Sequence, residues 1–588
     1  MSAAVRGRSR KGAGRSKKRS DRTGRFSLLL ALLALALAVV AGRLVYIQMI
    51  VGPAYASEAA EQRTSDIVLS PERGFILDRE GEVLAESMEA RTVYAVPSAV
   101  KDKQATATAV ARVLGGEESG YLEKLNKGAT FVYLARRVEV ERAESLEELG
   151  LQGIGFLEDS RRVYPNNELA CQVLGFVGVD NDGLAGIEKF YDELLAGETG
   201  RLICERDPDG RPIPGGVSQE VEPVNGQDIV LTIDADIQYQ AQVMLAETVK
   251  EWGAKSGSVL VMDPETGELY AMASLPTFDP NTHTAASEAA YRNRPLLDTY
   301  EPGSTIKAMT ASAVIDAGLF KPESMIELPP TLKVGGRTIH DAHTRPKTVT
   351  WSLTDIVTHS SNIGAAKVAM ELGGDSLYDY FARFGLTRRT GVDFPGEAIG
   401  WLPPTDQWSS SSIGTIPFGQ GISVTPIQLA RAFSVIANGG TLVTPHFLKS
   451  VPDSPAMDIS WPTEQVDIKP ETCETMRSVL VNVVEEGTAT RGTVKGYQVC
   501  GKTGTAQKAR TDGKAGYAPG RYVSSFTGFL PADDPQVLIL ITLDEPSKAI
   551  YGGTVAGPMF GQLAAYCVEH LKIPPGDPVT PVPQSDGG

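Results

Sequence analysis

The sequence predicts an α+β protein behind a membrane anchor, and three observations predict it. Strand patterns open and close the long C-terminal region, helical patterns fill the middle, and a basic head with an apolar run begins the chain. At 588 residues the chain is too long for one small core, so two or more domains are expected. Apolar content of 42% and charged content of 22% suit ordinary globular domains.

The anchor comes first. Residues 1–25 carry ten Lys/Arg and one acid, Asp21. The net charge is −16, so the rest of the chain holds about −25, which argues against a nucleic-acid-binding body. The run "FSLLLALLALALAVVAGRLVYI", Phe26 to Ile47, has 22 residues and one charge, Arg43. That length crosses a bilayer of roughly 30 Å at about 1.5 Å per residue. We expect a transmembrane helix at 26–48, with Arg43 snorkelling to the outer interface beside Tyr46. The positive-inside rule makes 1–25 a cytoplasmic tail and puts everything after residue 48 outside. A cleaved signal peptide is the alternative, since Ala38 and Ala41 supply small residues, but the apolar run exceeds a usual signal core.

The cysteines are Cys171, Cys204, Cys473, Cys500 and Cys567, with no C-x-x-C pair, which excludes zinc ribbons and thioredoxin-like chemistry. A pairing of Cys171 with Cys204 is open to an exported domain. Cys500 reads as a small buried hydrophobe. His340 and His343 are the one close histidine pair; without acidic or cysteine partners at ligand spacing they read as a polar loop. No metal and no cofactor are expected.

Residues 49–220 are mixed in pattern. "RGFILDREGEVLA" (Arg73–Ala85) predicts strand, turn at Arg79–Gly81, and strand. "LACQVLGFVG" is apolar and runs into the turn-rich "VDNDGLAG"; "IEKFYDELLAG" (Ile187–Gly197) predicts a short helix closed by glycine. Arg73, Gly74, Asp78, Gly81 and Glu188 read as structural, a salt bridge and a turn. A second region opens at "GQDIVLTID". It continues with a helix, "DIQYQAQVMLAETVKEWG" (Asp236–Gly253), and a hairpin, "GSVLVMDPETGELYAMAS" (Gly257–Ser274). "YQVCGKTGT", "YVSSFTGFLP" and "QVLILITLD" predict three closing strands, the last two joined by "ADDP". Between the groups lie helices, among them "TPIQLARAFSVIANGG" (Thr425–Gly440). Short-looped strands at both ends imply one antiparallel sheet flanked by helices. The closing "IPPGDPVTPVPQSDGG" is Pro-rich, and residues 574–588 are expected to be disordered.

Chemistry is suggested first by "YEPGSTIKAM" (Tyr300–Met309). Pro302 and Gly303 disfavour helix before Ser304, and "STIKAMTASAVIDAG" predicts a helix from Ser304. Ser304 and Lys307 then share a face close enough to hydrogen-bond. Either this is an ordinary helix start with a solvated lysine, or Ser304 is a nucleophile at a helix N-terminus and Lys307 its base. Two further stretches bear on the choice: "THSSNIG" (Thr358–Gly364) with Ser360-Ser361-Asn362, and "CGKTGTAQ" (Cys500–Gln507) with Lys502-Thr503-Gly504 on a predicted strand. S-x-x-K, S-D-N and K-T-G in that order mark class A β-lactamases and penicillin-binding proteins. Here they follow at spacings of 56 and 142 residues, with Ser361 where S-D-N has aspartate.

With these motifs the chain resembles the class B penicillin-binding proteins, monofunctional membrane-anchored transpeptidases of peptidoglycan synthesis. The resemblance runs from the anchor to about Pro575. "RGFILDREGEVLA" and "RVYPNNELACQVLGF" resemble pedestal signatures, where Cys171-Gln172 departs from the pattern; "FGQGISVTPIQLARAFSVIANGG" and "SSFTGFLPADDP" resemble the transpeptidase domain. The outline is most similar to the division-type (FtsI-like) branch, with the elongation type as the alternative. The resemblance implies an elongated β-rich pedestal at 49–220 and a β-lactamase-like transpeptidase domain at 221–573. It implies that Ser304 is acylated by the penultimate D-Ala of a stem peptide and that Lys307 takes its proton. Ser360 would relay a proton to the leaving group, and Asn362 would position Lys307 and the substrate amide. Lys502 would support Ser360 and draw the terminal carboxylate; Thr503, Gly504 and Thr505 would bind substrate, Thr503 and Thr505 through hydroxyls. The backbone N–H groups of Ser304 and Thr505 would form the oxyanion hole. The Lys502 strand would be a sheet edge that takes the peptide as an added strand.

The implied partners are D-Ala-D-Ala stem peptides, an acceptor amine, β-lactams, a SEDS-type glycosyltransferase and other division proteins, with no nucleic acid. Residues 49–220 show no glycosyltransferase motif. Competing readings are a β-lactamase or β-lactam sensor, a D-Ala-releasing carboxypeptidase, and an idle scaffold of the division machinery. The first lacks a clear deacylating Glu and leaves the pedestal unexplained; intact motifs argue against the last. The plain alternatives for the other motif residues are an N-cap at Ser360–Asn362 and an edge-strand charge at Lys502.

Overall fold

The computed structural model describes residues 20–52, 55, 64–129, 131–205, 218–452, 454, 459–510, 512 and 516–583. The chain divides into two units, residues 1–69 with 199–223, and residues 70–198 with 224–588. In the first unit a helix spans Ser20–Val45 and continues as a π-helical turn, Tyr46–Val51. Residues 24–51 are apolar enough to cross a membrane, with mean hydropathy 2.6. The Arg43 guanidinium lies 5.4 Å from the Tyr46 ring, so the two side chains pair near the end of the apolar run. The unit also holds an antiparallel sheet in which Gly200–Glu205 pairs with Thr64–Leu69 and with Ser218–Val221.

In the second unit, residues before 224 build a small subdomain. Its long strand, Val83–Ala95, pairs antiparallel with Val132–Glu139 and Ile154–Val163. Three helices cover it, and Val93, Val110, Leu125, Leu134 and Leu146 form its core. The predicted strand-turn-strand is present as Ile76–Leu77, a turn, and the start of Val83–Ala95. Asp78 holds that turn by accepting from Glu80 N and Glu82 N (2.9 and 2.8 Å). The Arg73 salt bridge goes instead to Glu188 (2.6 Å) and Asp192 (2.7 Å). Glu188 is fully buried, also meets Arg162 (2.7 Å) and accepts from Tyr164 Oη (3.1 Å). Two guanidiniums outweigh its desolvation and hold its carboxyl below the usual value. The expected single helix at Ile187–Gly197 is two short helices, Gly186–Phe190 and Asp192–Leu195, broken at Tyr191. The tyrosine leaves helical geometry there and donates to Asp393 (2.6 Å). Ile229–Leu231 pairs with Ile76–Leu77 on one side and Leu448–Ser450 on the other, so it joins the subdomain to the remainder of the unit.

The remainder is the predicted sheet with helices. Helix α1 (Ala235–Trp252) is capped by the Asp234 side chain and closed by Gly253 in left-handed conformation. Strands β1 (Ser256–Met262) and β2 (Leu269–Leu275) form the opening hairpin. Helices α2 (Lys307–Asp316), α3 (Asn362–Leu372), α4 (Pro426–Ala437) and α5 (Pro470–Glu485) fill the middle. Strands β3 (Cys500–Ala509), β4 (Tyr517–Leu530) and β5 (Val537–Asp544) close the sheet, and α6 (Gly557–His570) follows. The order is β2-β1-β5-β4-β3, antiparallel throughout, so both ends of the region meet between β1 and β5. Helices α1 and α6 pack together against the sheet, α4 packs against β5 and β4, and α5 packs against β3. Covered on both faces, β1 and β5 bury every residue but Asp544, which is why they read as continuous apolar runs. β3 is an edge strand of the sheet.

The Pro-rich end differs from expectation. Residues 574–583 follow an extended path tied to the domain. Asn482 Nδ2 donates to Val582 O (2.8 Å) and its Oδ1 accepts from Val582 N (3.1 Å); Gln498 does the same for Val579. Val579 and Val582 lie three apart, the repeat of an extended polyproline-type chain, so both face the core. Residues 584–588 lie outside the described residues.

Candidate active site

Ser304 sits in a 3₁₀ turn, Gly303–Ile306, and the α-helix begins only at Lys307. The sequence reading started that helix at Ser304. Thr305 Oγ1 donates to Pro302 O (2.8 Å) and tightens the turn. Residues three apart eclipse in 3₁₀ geometry, which stacks Lys307 directly over Ser304.

Lys307 is the hub. It is 1% exposed, and its Nζ lies 3.1 Å from Ser304 Oγ, 2.6 Å from Ser360 O, 3.1 Å from Ser360 Oγ and 2.8 Å from Asn362 Oδ1. Burial holds this amine well below its ordinary value, and the nearby Lys502 charge lowers it further; Asp341 pulls the other way. A neutral amine keeps a lone pair for one hydroxyl, and the half-buried Ser304 is in reach. Ser360 holds its position at φ +59°, a left-handed backbone that is costly for serine and aims both its oxygens at Lys307. Lys502, on β3, reaches Ser360 Oγ at 3.2 Å. It is fully buried, and burial lowers it to about 7. The structure thus brings together Ser304, Lys307, Ser360, Asn362 and Lys502.

The other predicted residues line the same edge. Thr505 is partly exposed, and its Oγ1 accepts from Gly552 N (3.2 Å), leaving its own proton free to donate. Thr503 is 7% exposed and its hydroxyl is already paired with Thr488 Oγ1 (2.9 Å). Gly504 is a place of close approach: a Cβ there would lie 2.3 Å from Ser525 Oγ and 3.0 Å from Pro302 O. Its bare backbone lets β3 lie against the nucleophile turn.

Several contacts were not legible as motifs. Asn362 Nδ2 donates to His340 O (2.9 Å), and Ser361 Oγ donates to the Asp341 carboxylate (3.0 Å). The His343 ring stacks on Tyr551, just before Gly552, at 5.8 Å. His340 to His343 lie in a polar loop without regular spacing, so neither periodicity nor a signature points to them. Cys171, Cys473, Cys500 and Cys567 are free and buried. The Cys204 side chain lies outside the described residues.

A hydroxyl, a buried neutral-leaning amine and a second hydroxyl–amine pair along a sheet edge are the parts of an acyl-transfer site. The penicillin binding protein transpeptidase domain matches residues 257–565, more than half of the chain, and the penicillin-binding protein dimerisation domain matches 68–231. The chain belongs to the class B penicillin-binding proteins. Among similar proteins, penicillin-binding protein PbpB of Mycolicibacterium smegmatis is 34% identical over 95% of this chain and 92% of its own. The probable peptidoglycan D,D-transpeptidase PbpC of Pseudomonas aeruginosa is 34% identical over 94% and 96%. Peptidoglycan D,D-transpeptidase FtsI of Escherichia coli is 32% identical over 94% and 92%. Among solved structures, penicillin-binding protein 3 of Mycobacterium tuberculosis complexed with aztreonam matches with TM-score 0.67 and 30% identity, over 87% of this chain and 99% of that one. A peptidoglycan synthetase of Bifidobacterium adolescentis matches with TM-score 0.71 and 28% identity, over 88% and 100%. In this penicillin-binding protein the three motifs therefore lie inside the matched transpeptidase domain.

Proposed function

We propose that this penicillin-binding transpeptidase cross-links peptidoglycan through an ester on Ser304. The observation that carries the reading is Lys307 Nζ at 3.1 Å from Ser304 Oγ, in an environment that disfavours its charge. Ser304 Oγ attacks the penultimate D-Ala carbonyl of a stem peptide and its proton passes to Lys307. The backbone N–H groups of Ser304 and Thr505 bind the oxyanion; Ser304 lies in a first turn, where N–H groups lack intrahelical acceptors. The C–N bond to the terminal D-Ala breaks as a proton reaches its nitrogen through Ser360. Lys502 keeps Ser360 polarised and draws the terminal carboxylate, which Thr505 binds directly. Thr503, already paired with Thr488, supports it from behind. An acceptor amine then attacks the ester and restores Ser304. A β-lactam takes the place of D-Ala-D-Ala and leaves a slow ester.

The orientation follows the charge of the head, with residues 1–25 cytoplasmic and the catalytic region outside. Likeness to FtsI supports septal synthesis, with a SEDS-type polymerase supplying glycan. The segments are a tail at 1–25, anchor at 26–48, pedestal at 49–220 and transpeptidase domain at 221–573. The test is the intact mass of the full-length protein and its Ser304→Ala variant with benzylpenicillin over time. A lasting one-drug adduct on the wild type alone is expected. Rapid turnover without an adduct would move the reading to a β-lactamase.

A further inference from the structure

Asp341 belongs to none of the three motifs, yet it holds the middle one. Ser361 Oγ donates to its two carboxylate oxygens at 3.0 and 3.1 Å and accepts from Gly364 N at 3.0 Å. Ile363 N, in the first turn of α3, donates to Asp341 Oδ1 at 3.0 Å. Arg345 Nη2 donates to Asp341 Oδ2 at 2.5 Å, and the Arg345 guanidinium lies 4.7 Å from the Trp351 ring. The Asp341 side chain is 8% exposed, so this is a built, largely water-excluded set of charge-assisted bonds.

One residue earlier, the His340 carbonyl accepts from Asn362 Nδ2 at 2.9 Å. A carbonyl only accepts, so it dictates which end of the Asn362 amide faces it. Asn362 Oδ1 is thereby turned to Lys307 Nζ, 2.8 Å away. The position taken by aspartate in S-D-N is Ser361 here, and a carboxylate arrives at the same helix start from 20 residues upstream.

We propose that Asp341 is a positioning residue of the acylation step: from outside the motifs it clamps Ser360–Asn362, and so fixes Lys307 against Ser304. The proposal rests on the roles given above to those two residues. Asp341 also acts through charge. The charged groups that bear on Lys307 are Lys502 from β3 and Asp341 from this loop; Ser304, Ser360 and Asn362 contribute neutral dipoles. Asp341 favours protonated Lys307, so removing its charge lowers the pH at which Lys307 becomes a base. Removing the Arg345 charge that faces Asp341 does the reverse.

The experiment measures acylation by benzylpenicillin against pH for the full-length protein in detergent, with Asp341→Asn and Arg345→Gln. Non-covalent affinity is measured separately. Asp341→Asn is expected to acylate about 10- to 100-fold more slowly, since small misplacements of a catalytic group cost up to about that much. Its affinity should hold, and the acid limb of its rate profile should move to lower pH. Arg345→Gln should move that limb to higher pH, and it serves alone if Asp341→Asn does not fold. Asp341→Glu should recover part of the rate. Unchanged rates, or slowing with both acid limbs in place, would overturn the proposal and leave Asp341 a structural contact. Absence of any Ser304 ester on the wild type would instead sink the parent reading.

Discussion

In the proposed mechanism Lys307 and Lys502 are two buried amines with opposite duties, and their surroundings set them apart. Lys307 needs to be neutral to accept the Ser304 proton, and burial beside a second cation favours that form. Lys502 acts as a cation, and burial alone lowers it to about 7. Acylation should therefore rise with pH as Lys307 loses its proton and fall as pH passes about 7 and Lys502 loses its own. Lys502→Arg, charged at every accessible pH, should abolish the falling limb; stopped-flow acylation across pH reads both. Lys307→Ala should slow acylation by about 10²- to 10⁴-fold, the usual worth of a positioned base. Initial β-lactam affinity should change little, and equal acylation rates would remove Lys307 as the base.

At the scale of elements, the cleft depends on how closely β3 is approached by its neighbours. A Cβ on Gly552 would sit 2.2 Å from Ser525 O and 2.4 Å from Gly504 O. Gly552→Ala should push β3 outward at a cost of about 1–3 kcal/mol. That displacement also stretches the bond from the residue 552 N–H to Thr505 Oγ1, so acylation should fall more than thermal stability does; scanning calorimetry beside acylation rates checks this. The buried Arg73–Glu188–Arg162 cluster works by a different rule. Glu188→Ala would take the carboxylate from buried Arg162, leave buried Arg73 with Asp192 alone, and cost about 3–5 kcal/mol. A drop in the urea midpoint is expected, and a midpoint within error of wild type would refute the cluster's structural weight.

At the scale of the molecule, the described residues join an apolar helix long enough to cross a membrane to a domain with the proposed acylation site. The chain matches a transpeptidase domain and a dimerisation domain. The full-length protein in detergent should form no glycan from lipid-linked precursor unless a polymerase is added. Polymer made by the purified chain alone would contradict the monofunctional reading.

Much of this was legible in the sequence because it is written locally. Capping and periodicity act between near neighbours, so α1 with its Asp234 cap and Gly253, and α4 with its Thr425–Gln428 capping box, lie where expected. The opening hairpin, the closing strands and the apolar anchor follow from alternation and length in the same way. Motif order was enough to gather Ser304, Ser360 and Lys502. Other features depended on residues far apart in sequence. The Tyr191 break, the docked Pro-rich end and the Asp341 clamp each arise from a contact that no local pattern encodes. The protonation of both amines belongs with these, because desolvation is a property of packing: the sequence by itself determined which groups could react, and only the tertiary structure decided which of them would be neutral, charged and aimed.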